Sequence, residues 1–152
     1  LGLLITSLTL VAVVAMVGSG WTDTGAGSWY DGLDTAPWQP PGWAFGAAWT
    51  PLYALMAVAA WDVARRGLGR SEVVVALGAY AVQLTLNLLW TLIFFREQDP
   101  AGGMAVIVAL AVAIAVTTAA FARVSRPAAW ALTPYLAWVL FASTLNGWIV
   151  WA

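Results

Sequence analysis

The sequence contains no cysteine, no histidine and no lysine. Without cysteine there is neither a disulfide framework nor a thiolate nucleophile. Without histidine the usual imidazole base, metal ligand and haem axial ligand are missing, so no metal site is expected. Charge of either sign is scarce: six basic residues, all arginine, stand against seven acids, for a net charge of −1. Such a chain has no basic surface to offer a nucleic acid, and no nucleic-acid partner is expected.

Apolar surface is what the chain has in excess. Hydrophobic residues make up 62% of the 152 positions, and the mean hydropathy of +0.85 lies outside the range of soluble domains. The class is therefore an all-α integral membrane protein. Residues 1–20 carry no charge and are long enough to cross about 30 Å of hydrocarbon. A signal peptide would show a basic start and a shorter apolar run, so this stretch reads as helix 1. Because the chain opens on leucine, a few preceding residues are expected.

Four further spans follow, at about residues 43–63, 71–95, 103–122 and 128–151. Ser71 is expected to cap the third, and the turn from Arg96 to Pro100 to end it. The result is one five-helix transmembrane domain over residues 1–152. No charge falls in the middle of a span, where each would cost about 2.5 to 3.5 kcal/mol. This counts against proton relays, voltage sensors and ion-coupled pumps, and no internal repeat of the transporter kind is visible.

The connection 21–42 differs from the others. With the start of helix 2 it places four tryptophans, four prolines and two tyrosines between residues 29 and 53. Proline fixes its own φ and pushes the preceding residue toward extended backbone, so Trp38-Gln39-Pro40-Pro41 holds its shape without a helix or sheet. It reads as a stiff aromatic lid. Five of the six arginines sit in the 2–3 and 4–5 connections, whereas the other two connections carry five acids and one arginine. By the positive-inside rule the amino end and the arginine-rich connections are cytoplasmic, and the lid faces outward. The Ala-, Gly- and Arg-rich composition points to a bacterial membrane.

Depth can be counted from the helix ends. Trp49 and Tyr53 fall about 9 and 15 Å below the outer start of helix 2; Trp90 and Asn87 about 8 and 12 Å below the outer end of helix 3, with Gln83 a turn further. On helix 5, Asn146, Ala142 and Trp138 lie about 8, 14 and 20 Å down. Each set repeats at helical spacing and makes one stripe. Asn and Gln avoid lipid because their amides would go unsatisfied, so three stripes at one depth define a pocket under the lid. Helix packing is the alternative role for Trp49, Trp90 and Trp138, and interhelical hydrogen bonding for Asn87 and Asn146. Trp21, Trp61, Trp130, Trp148 and Trp151 read as interfacial anchors, and Asp62 beside Arg65 and Arg66 as a weak surface ion pair. Small-x-x-x-small patterns at Gly42/Gly46, Ala105/Ala109/Ala113 and Ala111/Ala115/Ala119 serve either internal packing or a homodimer.

These residues resemble a known family, the bacterial tryptophan-rich sensory proteins and the mitochondrial translocator protein. The likeness rests on Trp29-Tyr30 with Leu33, Pro37-Trp38-x-Pro40-Pro41-x-Trp43-x-Phe45, and Trp49-Thr50-x-Leu52-Tyr53 with Met56. It continues in Gln83-Leu84 with Asn87 and Trp90, in Phe94-Phe95, and in Pro134-Tyr135-Leu136-x-Trp138 with Ala142, Leu145 and Asn146. The resemblance implies a five-helix bundle, commonly dimeric, with a pocket below the lid for porphyrins and synthetic aromatic ligands. It assigns that pocket to Tyr30, Trp38, Trp49, Tyr53, Asn87, Trp90, Trp138, Ala142 and Leu145. Trp49 and Trp138 match positions implicated in light-dependent porphyrin breakdown. The sterol-recognition pattern of animal members needs a basic residue after the helix 5 tyrosine; none follows Tyr135, so sterol binding is not expected.

Three functions follow from this reading. The first is a receptor that stacks protoporphyrin IX or haem, with tryptophan indole N–H groups, tyrosine hydroxyls, Asn87 or Gln83 as donors to the propionates and no required cofactor. The second is a light-dependent porphyrin-degrading enzyme using Trp49 and Trp138. The third is a tetrapyrrole transporter, ranked lower for want of a charged path.

Overall fold

A computed structural model describes residues 1–152 and contains five long helices: α1 (Gly2–Trp21), α2 (Gly42–Ala64), α3 (Ser71–Thr91), α4 (Pro100–Val124) and α5 (Arg126–Trp151). All five are long and apolar enough to cross a membrane. Many of their hydroxyl side chains bond back to their own helices, as Thr6 does to the Gly2 carbonyl, Thr22 to Gly18 and Thr85 to Ala81, while Ser7 of α1 donates across to the Ala57 carbonyl of α2 at 2.6 Å; either way they are satisfied without water.

Helix ends follow the local chemistry. α4 starts at Pro100, three residues before the expected Gly103, because the Asp99 carboxylate caps the Gly102 amide at 2.9 Å and proline occupies the first turn. Ser125 caps α5 in the same way through the Ala128 amide at 3.3 Å. Ser71 does not cap α3. Arg70 holds the extended capping position and Ser71 is the first helical residue. α3 runs on as a π-helical turn, Leu92–Arg96, closed by the Glu97 amide on the Leu92 carbonyl at 2.9 Å, and the helical run ends there at the expected turn before Pro100.

The helices form an irregular ring. α1 packs on α2, α2 on α5, α5 on α4 and α4 on α3, with the fullest contact between α3, α4 and α5. The ring closes through a thinner seam where α3 meets α1 and α2. Met56, Val73, Ile107, Ile114, Phe121, Tyr135 and Val139 fill the interior, while Val75, Val82, Val112, Val116 and Leu140 point outward. Outward apolar side chains suit a lipid surround.

At the arginine-rich end Asp62 does more than pair along its own helix. It accepts from Arg65 Nε at 2.7 Å and Arg66 Nη2 at 3.4 Å, and also from the Ser125 hydroxyl. The end of α2 is thereby tied to the α4–α5 junction. Trp61 lies under the Arg65 guanidinium at 5.0 Å.

Candidate functional site

At the other end the 22–41 connection folds over the bundle. Its start passes so close to α2 that a Cβ at Gly42 would meet Thr24 at 3.0 to 3.3 Å, which leaves glycine as the residue that fits. A short 3-10 turn, Tyr30–Gly32, buries the Tyr30 ring. The ring meets Phe45 of α2 at 6.2 Å, and Phe94 and Phe95 of the π-helical turn at 6.3 and 5.6 Å. The wider turn lets two consecutive phenylalanines reach the same partner. The Tyr30 hydroxyl accepts a hydrogen bond from Gln39 Nε2. Burial outweighs that bond and pushes the phenol up to about 12. Farther along, Trp38 Nε1 donates to Thr144 Oγ1 at 3.3 Å and the ring packs edge-on to Trp148 at 5.3 Å. The Trp148 ring is therefore engaged by the lid rather than left as a free anchor.

At the thin seam of the ring lies a cavity of about 330 Å³. α2 contributes Phe45, Gly46, Trp49, Thr50 and Tyr53; α3 contributes Trp90 and Thr91, with Phe95 just beyond; α1 contributes Ala15, Gly18, Ser19 and Thr22. Trp49 and Tyr53, one turn apart, stack at 5.4 Å and 27°, and Trp90 stacks on Phe94 at 5.5 Å. No charged side chain lines the space.

A buried polar knot supports it. The Tyr53 hydroxyl donates to Asn87 Oδ1 at 3.0 Å, Asn87 Nδ2 donates to the Tyr135 hydroxyl at 2.9 Å, and that hydroxyl donates to Gln83 Oε1 at 2.8 Å. One level outward, Trp90 Nε1 donates to Asn146 Oδ1 at 3.1 Å and Asn146 Nδ2 to the Pro100 carbonyl at 2.8 Å. The amides thus fix the aromatic walls, since a buried amide in a membrane needs every partner it can reach.

The eleven residues singled out from sequence fall into distinct places. Trp49, Tyr53 and Trp90 line the cavity. Tyr30 packs on Phe45 and Phe95 of its wall without lining it, and Trp38 latches the lid on α5 half-exposed, away from the cavity. Asn87 and Asn146 are fully engaged below and behind it, whereas Gln83 accepts from Tyr135 and its buried Nε2 has no partner. Trp138 backs Trp49 from α5, edge to face at 6.4 Å, with Phe45 at 6.0 Å and Phe141 at 5.6 Å. Ala142 and Leu145 are buried core. Sequence reasoning did not assign the α1 wall or Thr91 to the site, because small and hydroxyl residues on an apolar helix give no periodic signal. It also passed over Tyr135, the hub of the knot.

Lid, cavity and spans define a polytopic membrane protein with an aromatic chamber under its longest connection. The TspO/MBR family model matches residues 7–152, and the chain belongs to that family. It is 43% identical to the tryptophan-rich protein TspO of Chlorobaculum tepidum over 90% of this chain and 87% of the relative. It is 41% identical to the tryptophan-rich sensory protein of Cereibacter sphaeroides over 78% and 72%. With the translocator protein of Homo sapiens the identity is 40% over 81% and 73%. The protein is a multi-pass membrane protein of this family.

Proposed function

We propose that this protein is a membrane receptor for tetrapyrroles, protoporphyrin IX and haem, and for similar flat aromatic molecules. The observation that carries the reading is the convergence of Phe45, Trp49, Tyr53, Trp90 and Phe95 on one uncharged cavity. Each ring stacked on a macrocycle offers about 0.5 to 1.5 kcal/mol beyond area burial, and a macrocycle spans several of them. The sensory and translocator names of the relatives agree with a protein that binds a small molecule in the bilayer. Because the chain supplies no histidine or cysteine for iron, the metal-free ring binds about as tightly as haem. The test is quenching of intrinsic tryptophan fluorescence by protoporphyrin IX: saturable quenching is expected, and binding that requires iron would overturn the reading.

In this proposal residues 1–152 act as one domain, with the amino end and the arginine-rich end cytoplasmic and the lid outward. The chain has no native cysteine, so a single cysteine placed at Gly69 or at Gly32 reports its side by labelling in intact cells. Homodimerisation is proposed through the outward-facing Ala105 and Ala109 of α4.

A second reading, light-dependent porphyrin breakdown, is favoured by the Trp49–Trp138 contact at 6.4 Å. An excited macrocycle at Trp49 takes an electron from that indole, and Trp138 shares the resulting hole. Under illumination with protoporphyrin IX, absorbance loss is expected in the wild type and not in the Trp49→Phe, Trp138→Phe double variant. Equal rates would leave the receptor alone.

A further inference from the structure

The arginines at the cytoplasmic end are not all accounted for. Arg65 and Arg66 pair with Asp62 and Arg70 pairs with Glu72, whereas Arg123 and Arg126, on either side of the α4–α5 junction, have no acidic partner. Each stands at the head of a different surface groove. The α3–α4 groove beside Arg123 already contains Glu72. The α4–α5 groove, about 400 Å³, contains Arg126 as its sole charge.

Below Arg126 this second groove runs into the membrane. On α5, Arg126, Ala129, Trp130 and Thr133 follow at helical spacing and form one face, so the groove extends about 10 Å from the guanidinium toward Thr133. Ala122 of α4 and Ala129 keep its floor low, with Thr118 on the α4 side. The two threonine hydroxyls are spent on carbonyls of their own helices, Thr118 on Ile114 at 2.8 Å and Thr133 on Trp130 at 2.7 Å. What remains for an occupant is methyl and methylene surface. Trp130, 73% exposed, stands one turn below the guanidinium, at the level where indoles meet lipid headgroups.

A cation at the mouth, an indole beside it and an apolar channel beneath complement one molecule from both ends: a phosphate headgroup above an acyl chain. With no acid to attract choline or ethanolamine, the groove discriminates by net charge. From this juxtaposition we propose that the α4–α5 groove binds an anionic phospholipid through Arg126, with an acyl chain laid over Ala122 and Ala129. The site is independent of the aromatic cavity at the opposite end.

The test uses the full chain in nanodiscs of dioleoylphosphatidylcholine doped with dioleoylphosphatidylglycerol, with retained lipid read by native mass spectrometry. The wild type retains one phosphatidylglycerol per chain in preference to phosphatidylcholine. Arg126→Gln lowers that preference about fivefold, the amount one basic side chain contributes beside an anionic surface. Arg96→Gln, at the other end, leaves it unchanged. Ala122→Phe fills the groove and lowers retention of both lipids, with melting temperatures checking that each variant folds. Acyl-brominated phosphatidylglycerol quenches a component of fluorescence that Trp130→Phe lacks, and excess inorganic phosphate does not restore it. No preference in the wild type, a wild-type preference in Arg126→Gln, an equal loss in Arg96→Gln, or full displacement by phosphate would each overturn the proposal.

Discussion

The hydroxyl of Tyr53 donates to Asn87 Oδ1 at 3.0 Å, and so joins the wall of the cavity to the centre of the bundle. Asn87 is 1% exposed and spends its amide nitrogen on Tyr135. Asn87→Ala leaves two phenols short of a partner and a void between three helices. The expected loss is about 2 kcal/mol, against about 0.6 kcal/mol for Tyr53→Phe, which removes one membrane hydrogen bond and keeps the packing. Unfolding by dodecyl sulfate in mixed micelles measures both, and the reverse order would show that the knot is not structural.

Trp49 lines the cavity and Trp138 touches it only through Trp49 and Phe45. Trp49→Leu is expected to weaken protoporphyrin IX binding about two- to twelvefold, the range of one lost stacking contact. Trp138→Leu should change the dissociation constant less than about twofold on the same scale. Fluorescence titration separates the two.

The lid is fastened at Trp38 by one hydrogen bond and one edge-on indole pair. Trp38→Ala removes both and is expected to speed amide exchange across residues 29–39 about fivefold, with the helices unchanged. Exchange confined to the wild-type rate would mean that the Tyr30 contacts hold the lid alone.

Alkaline pH should release the same segment from its other fastening. Burial holds the Tyr30 phenol at about 12 against an ordinary value of 10.0. The folded lid therefore binds the proton more tightly than the open one. Its stability is complete below pH 10 and is lost as pH rises through about 12. Tyrosinate absorbance and lid proteolysis should rise together in this window, and Tyr30→Phe should abolish the coupled step.

A Cβ at Gly103 would meet Phe94 Cδ2 at 3.1 Å and Asn146 Oδ1 at 3.2 Å, the oxygen that accepts from Trp90. Gly103→Ala is expected to cost about 1 to 2 kcal/mol by overpacking, and to blue-shift or broaden tryptophan emission as Trp90 loses its partner. Thermal unfolding and emission spectra test it.

Much of this architecture was legible beforehand because a bilayer imposes simple rules. Uncharged runs of about 20 residues gave the spans, the proline cluster gave the lid, and amides placed Gln83, Asn87 and Asn146 inward. The helix ends were harder. Asp99 and Ser125 cap through single hydrogen bonds, and nothing local distinguishes them from Ser71, which does not.

By itself the sequence determined that five apolar helices cross a membrane beneath a stiff aromatic connection, since hydropathy, charge asymmetry and proline geometry are local properties. Only the tertiary structure decided that the cavity opens at the α1–α2–α3 seam instead of between α2, α3 and α5. That choice depends on which helices pack most fully: α5 is drawn against α4 and α2, which turns Trp138 into a backing ring and leaves Gly18 and Thr22 of α1 as the remaining wall.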